Sequence, residues 1–141
     1  MSREEQVTIL LVEDDPGHAR LIEKNLRRSN IANQIIHAGD GQQAVDYLFG
    51  DECPASLLVL LDLNMPVLDG YQVLERIKAD EKTKHIPVVI LTTTDDAREV
   101  SRCYDLGCNV YMTQPVSYEQ FSDAIGKLGL FLSVVAIPEG K

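Results

Sequence analysis

The segment Leu57-Leu58-Val59-Leu60-Leu61 constrains this chain more than any other, because five consecutive apolar residues run through it without polar alternation. A strand with one wet face alternates, so an unbroken run needs cover on both faces, as in the middle of a parallel sheet. Further short apolar runs recur at residues 7–12, 34–37, 87–91 and 109–112. Segments of helical spacing lie between them, each with one apolar stripe: Ala19, Ile22 and Leu26; Ala44, Val45 and Leu48; Val73, Leu74 and Ile77. Their starts are chemically marked. Asp15-Pro16 offers an N-cap followed by proline at the first helical position, Asp40 caps the helix from Gly41, and Ser117 with Gln120 fits a capping box. Strand then helix, five times over, predicts a doubly wound α/β sandwich with a five-stranded parallel sheet and helices on both faces.

At 141 residues the chain fits one domain, 1–141, with a core over about 6–132 and no room for a second domain of ordinary size. Any output must pass through a partner. The formal net charge of −9 excludes nucleic acid and anionic lipid as main ligands, since phosphate backbones are bound by clustered Lys and Arg. Cys53, Cys103 and Cys108 are odd in number, lack metal-site spacing and sit in or beside apolar segments, so they read as reduced thiols. Residues 1–6 are polar, and the longest apolar stretch, 128–137, is too short to span a bilayer. A soluble, cytoplasmic protein is expected.

In doubly wound sheets the functional site lies beyond the carboxyl ends of the strands. The residues that end the runs are Glu13, Asp14, Asp15, Asp62, Asn64, Thr92, Thr93 and Gln114. Four carboxylates converging on one edge are costly unless a cation or proton neutralises them. Oxygen ligands suit Mg²⁺, which takes one or two carboxylates with waters and phosphate oxygens. Blander readings stand beside this one. Glu13, Asp14 and Asp15 would serve equally as caps of the first helix, and Asp62 as the start of a turn through Asn64-Met65-Pro66 and Asp69-Gly70.

The motifs Leu11-Val12-Glu13-Asp14, Leu61-Asp62-Leu63-Asn64-Met65-Pro66 with Asp69-Gly70, and Pro87-Val88-Val89-Ile90-Leu91-Thr92 resemble the receiver domain of bacterial response regulators over almost the whole chain. Spacing agrees, with Thr92 thirty positions and Gln114-Pro115 fifty-two positions after Asp62. The resemblance implies the flavodoxin-like strand order 2-1-3-4-5. It also implies that Asp62 accepts a phosphoryl group from a phosphohistidine on a sensor histidine kinase, with Mg²⁺ held by Glu13, Asp14, Asp62 and the Asn64 carbonyl. Thr92 would donate to a phosphoryl oxygen, and Tyr111 would change its exposure as Thr92 moves. For Thr92 and Tyr111 the residues alone are equally compatible with strand packing.

Where the family usually has Lys before the proline, this chain has Gln114. Counting phosphorylated Asp62 as about −2, Glu13 and Asp14 as −1 each and Mg²⁺ as +2, the pocket sums to roughly −2 instead of −1. At ~4 Å and an effective dielectric near 20, the missing charge is worth up to about 4 kcal/mol before water offsets it. Slower transfer or weaker coupling is expected, and the alternative is a receiver-like dimeric scaffold in which phosphorylation no longer matters. A metal-dependent phosphatase would want a second acid two residues past Asp62, where Asn64 stands. No turnover of an external substrate is therefore expected.

From Ser117 the positions Phe121, Ile125, Leu128 and Leu132 make one core-facing stripe. That leaves Tyr118, Leu130, Phe131, Val134, Val135 and Ile137 for an interface, with the tail at about 133–141 as an arm. This tail and Leu91-Thr92-Thr93 resemble the stand-alone response regulators that work with bacterial phytochromes. The implied partner is a bacteriophytochrome kinase, and the implied assembly is a homodimer through helix 4, strand 5, helix 5 and the tail. The alternative is a tail folded back on its own chain.

Overall fold

The protein was analysed as a computed structural model that describes residues 7–28, 31–63, 68–92, 96–113 and 119–120. Five strands, β1 (Thr8–Val12), β2 (Ile35–Ala38), β3 (Leu57–Leu61), β4 (Val88–Thr92) and β5 (Val110–Thr113), alternate with four helices, α1 (Pro16–Arg28), α2 (Gly41–Leu48), α3 (Gly70–Ala79) and α4 (Ala97–Leu106). The sheet is parallel throughout and ordered β2-β1-β3-β4-β5, as expected. Of the fifth helix expected from Ser117, only Glu119 and Gln120 are described, and both are helical. The interface candidates Tyr118, Leu130, Phe131, Val134, Val135 and Ile137 and the tail lie outside the described residues.

β3 is where the apolar run placed it, buried at every position. Alternate residues face opposite sides. Leu58 and Leu60 join Ile9, Leu11 and Val89 under α1, which adds Ala19, Ile22 and Leu26. Val59 and Leu61 join Leu10, Val12 and Ile90 on the other face, covered by Ala44, Val45 and Leu48 of α2, Val73, Leu74 and Ile77 of α3, and Cys103 of α4. Each such aliphatic contributes about 1.5–3 kcal/mol on burial, so the two-sided core dominates the favourable side of folding. Cys53, Cys103 and Cys108 are free thiols, the last two buried. Among the described residues, no helix is long and apolar enough to cross a membrane.

The strands other than β3 are offset by one residue from the apolar runs at one or both ends. β2 runs on to Ala38 because β1 pairs with it through Val12↔Ala38, and the Glu13 amide donates to the Ala38 carbonyl at 3.1 Å. β4 runs on to Thr92, paired with Thr113. β5 begins at Val110, because the Asn109 side chain turns back to accept from the Val88 amide at 2.8 Å.

Helix starts follow the caps. Asp15 Oδ1 accepts from the Gly17 amide at 2.9 Å, and Asp40 caps α2 through the Gln43 amide at 2.8 Å. Asp69 and Gln72 form a reciprocal capping box on α3, with bonds of 3.0 and 2.9 Å. Gly70 sits where α3 meets the end of β3. A Cβ there would collide with the Asp62 carbonyl oxygen and lie 2.6 Å from Leu63 Cα, both of them backbone. Gly70→Ala is therefore expected to lower the unfolding free energy by about 1–3 kcal/mol, as overpacking does. Urea denaturation checks this, and a wild-type midpoint would show that α3 has slack at its start.

Candidate functional site

The register of the two central strands builds the site. β1 and β3 pair through Val12↔Leu61, so Glu13 and Asp62 leave the sheet at the same level. The Asp62 amide donates to the Val12 carbonyl at 3.0 Å, continuing that ladder one step past the strands. Carboxylate oxygens of Glu13, Asp14 and Asp62 all lie within 4.8 Å of one another. Asp15, which ends the same run but also stood as the N-cap ahead of Pro16, does cap α1 on the exposed side, because a side chain two residues before Gly17 reaches that helix's free amides. Of the three residues whose alternative role was capping, only Asp15 caps α1 among the described contacts.

Glu13 is the unusual member, with 2% of its surface exposed. Its carboxyl is pushed up to about 7, chiefly by burial and further by the Asp62 charge, against the Asp15 amide and His18, which favour the charged form. The Asp15 amide donates to Glu13 Oε2 at 3.2 Å, and His18 Nδ1 lies 2.9 Å from Oε1. The Glu13 carbonyl meets His37 Nε2 at 2.8 Å. Neither histidine stood out in the sequence. His18 lies four residues after Asp14, a spacing that one turn of helix after the Asp15 cap brings back over the strand end.

Thr92 ends β4 beside this edge, 1% exposed. Its Oγ1 is buried without a hydrogen-bond partner among the described residues. A buried hydroxyl left unpaired costs about 1–3 kcal/mol, and Thr92 therefore holds a donor that an acceptor could satisfy. Tyr111 in β5 is half-buried, and its amide donates to the Tyr104 hydroxyl at 3.1 Å. Asn64 and Gln114 lie outside the described residues.

The donor set fits a hard divalent cation. Three carboxylates on a strand edge, one of them raised to about 7 chiefly by burial and further by the Asp62 charge, are what such an ion would relieve. Beside it stand a carboxylate that can act as a nucleophile, Asp62, and a hydroxyl donor, Thr92.

Comparison with known proteins agrees with this chemistry. The family model of the response regulator receiver domain matches residues 9–126. A response regulator receiver domain from Rhodospirillum rubrum superposes with a TM-score of 0.74 at 55% identity, covering 94% of this chain and 98% of that one. The bacteriophytochrome response regulator AtBRR superposes with a TM-score of 0.80 at 38% identity, over 95% of this chain and 98% of its own. Response regulator Rcp1 of Synechocystis is 36% identical over 135 residues, 92% of each chain. The Mn(2+)-bound form of Rcp1 superposes with a TM-score of 0.70, over 94% of this chain and 99% of that one.

Glu13 gives the metal-free protein a pH dependence with a definite sign. Between its ordinary value of 4.5 and about 7 the folded chain keeps a proton that the unfolded chain has lost. Stability therefore falls as pH rises through that window. The thermal midpoint in the presence of EDTA should drop from pH 5 to pH 7 more in wild type than in Glu13→Gln. Equal slopes would mean that Glu13 is already charged in the folded state.

Proposed function

This chain belongs to the response regulator receiver domain family, and on that premise we propose that it is a single-domain response regulator accepting a phosphoryl group on Asp62 from a sensor histidine kinase. The observation that carries this reading is the convergence of Glu13, Asp14 and Asp62 oxygens within 4.8 Å at the carboxyl edge of the sheet. An Asp62 carboxylate oxygen attacks the phosphorus of a phosphohistidine. The P–N bond breaks, its electron pair stays on the imidazole, and an acyl phosphate is left on Asp62. Glu13, Asp14, Asp62 and the Asn64 carbonyl would hold Mg²⁺, which when bound neutralises the equatorial phosphoryl charge. Thr92 Oγ1 then gains the acceptor it lacks, and Tyr111, on the neighbouring strand, responds to its shift. Gln114 offers the phosphoryl group an amide donor in place of an ammonium, which weakens the switch without removing it.

Similarity to the bacteriophytochrome response regulator AtBRR supports a bacteriophytochrome as the kinase. The whole chain acts as one cytoplasmic receiver domain that turns over no external substrate and binds neither nucleic acid nor membrane. It pairs with a second copy through α4, β5, the last helix and the tail, with Tyr118, Leu130, Phe131, Val134, Val135 and Ile137 in the interface. Gln114 favours one second reading, a dimeric scaffold whose output no longer depends on phosphorylation.

With Mg²⁺ and a small phosphodonor such as acetyl phosphate, wild type should gain one phosphoryl group per chain by intact mass, and Asp62→Asn none. Gln114→Lys should be phosphorylated faster. A wild type without label is the result expected of the scaffold. Truncation after Ser133 should lower the molar mass in light scattering from dimer toward monomer, and an unchanged dimer would remove the tail from the interface.

A further inference from the structure

Helix α4 is seated differently from its neighbour. α3 buries Gly70, Tyr71, Val73, Leu74 and Ile77, whereas Cys103 is the one buried residue of α4. Leu106 adds partial burial against the same core, and with so little apolar anchorage the position of this ten-residue helix leans also on specific side-chain contacts. Tyr71 supplies two of them. It is 8% exposed, its hydroxyl donates to Glu99 Oε1 at 2.7 Å, and Arg102 Cζ stands 3.8 Å from the centre of its ring. Glu99 and Arg102 are three residues apart on one face of α4 and grip the phenol at its tip and its face. Burial first, and then Glu99, raise the phenol's pKa above its usual 10, so it remains a donor at neutral pH.

The other end of Tyr71 is fixed to the site. The preceding residue, Gly70, packs on the Asp62 carbonyl too closely to admit a Cβ, and its amide donates to the Leu63 carbonyl at 3.1 Å. The backbone of Tyr71 is therefore tied to the backbone that carries Asp62, while its side chain holds α4.

We propose that Tyr71 is a positioning residue, a clasp that fixes α4 through Glu99 and Arg102 and ties that helix to the Asp62–Leu63 backbone. Movement at the end of β3 then reaches α4 without passing through Thr92 or Tyr111. The clasp itself is a property of the unmodified chain, and only its trigger rests on the phosphoacceptor reading.

Hydrogen exchange by mass spectrometry on the full chain, without phosphodonor, tests the clasp. Tyr71→Phe keeps the ring and removes the hydroxyl. It should raise exchange in peptides from α4 on the order of five- to tenfold, as expected for losing one net side-chain hydrogen bond, and leave α1 unchanged. The increment should vanish when Tyr71→Phe is made in a Glu99→Ala background. Unchanged α4 exchange in Tyr71→Phe, an equal rise in α1 and α4, or a full increment in the Glu99→Ala background would each overturn the proposal. A second arm adds Mg²⁺ and beryllofluoride, an acyl-phosphate mimic. An α4 response in wild type that shrinks in Tyr71→Phe supports the tie to Asp62, and an equal response in both overturns it. Failure of the phosphoacceptor reading appears separately, as Asp62→Asn responding to beryllofluoride just as wild type does.

Discussion

The pairing of β1 with β3 is the interaction on which the rest depends. Because both strands are buried, their five-residue ladder from Thr8↔Leu57 to Val12↔Leu61 cannot slip without moving leucines into the wrong layer. That register sets the height at which Glu13 and Asp62 emerge, and the bond from the Asp62 amide to the Val12 carbonyl carries it one residue further. The acids are thus held together by the apolar core beneath them and not by attraction to one another. Their mutual repulsion is set against hydrophobic burial spread over two faces of a sheet, a contest the core wins comfortably.

Burial first, with the Asp62 charge adding to it, makes Glu13 keep a proton that an exposed glutamate would have released. The backbone amide of Asp15 and the ring of His18 compensate only in part. Such a site rewards an arriving cation twice, once by coordination and once by letting Glu13 ionise. The hydroxyl of Thr92, without a partner among the described residues, carries a similar cost. In both, the apo protein holds a polar group in a position that a ligand would make favourable, which is how a weakly strained resting state biases a site toward what it binds.

How much of this was legible in the sequence depends on which physical rule set each feature. β3, the apolar stripes of α1, α2 and α3, and the Asp15 and Asp40 caps follow from periodicity and from local hydrogen bonding, and all were readable. The convergence of Glu13 and Asp62 was readable because strand ends in a parallel sheet share an edge. Asp15 was readable as the cap because Pro16 follows it, whereas the turn into α1 is what leaves Glu13 and Asp14, of the three successive acids, beside Asp62. The strand ends at Ala38 and Thr92 and the start at Val110 depend on partner strands, which an apolar run does not encode. His18, His37 and the grip of Glu99 and Arg102 on Tyr71 were not legible. Each requires the rotation of a helix or the length of an edge strand relative to a distant element, set only by packing.

Tyr71 illustrates why the last kind of information bears on function. A helix that buries five residues, as α3 does, is anchored by the core, whereas α4, with Cys103 buried and Leu106 partly so, depends more on a few side-chain contacts. Contacts worth about a kcal/mol each are of the size a phosphoryl group could outweigh, and they are specific enough to return the helix to one place. The α4 face also carries Tyr104, half of its surface exposed, whose hydroxyl meets the amide of Tyr111. Two tyrosines therefore brace α4 from opposite sides, one from α3 behind the end of β3 and one toward β5. Loosening either brace would free the outer face of α4, which links the light seating of this helix to the proposed route from the carboxylate edge to the surface.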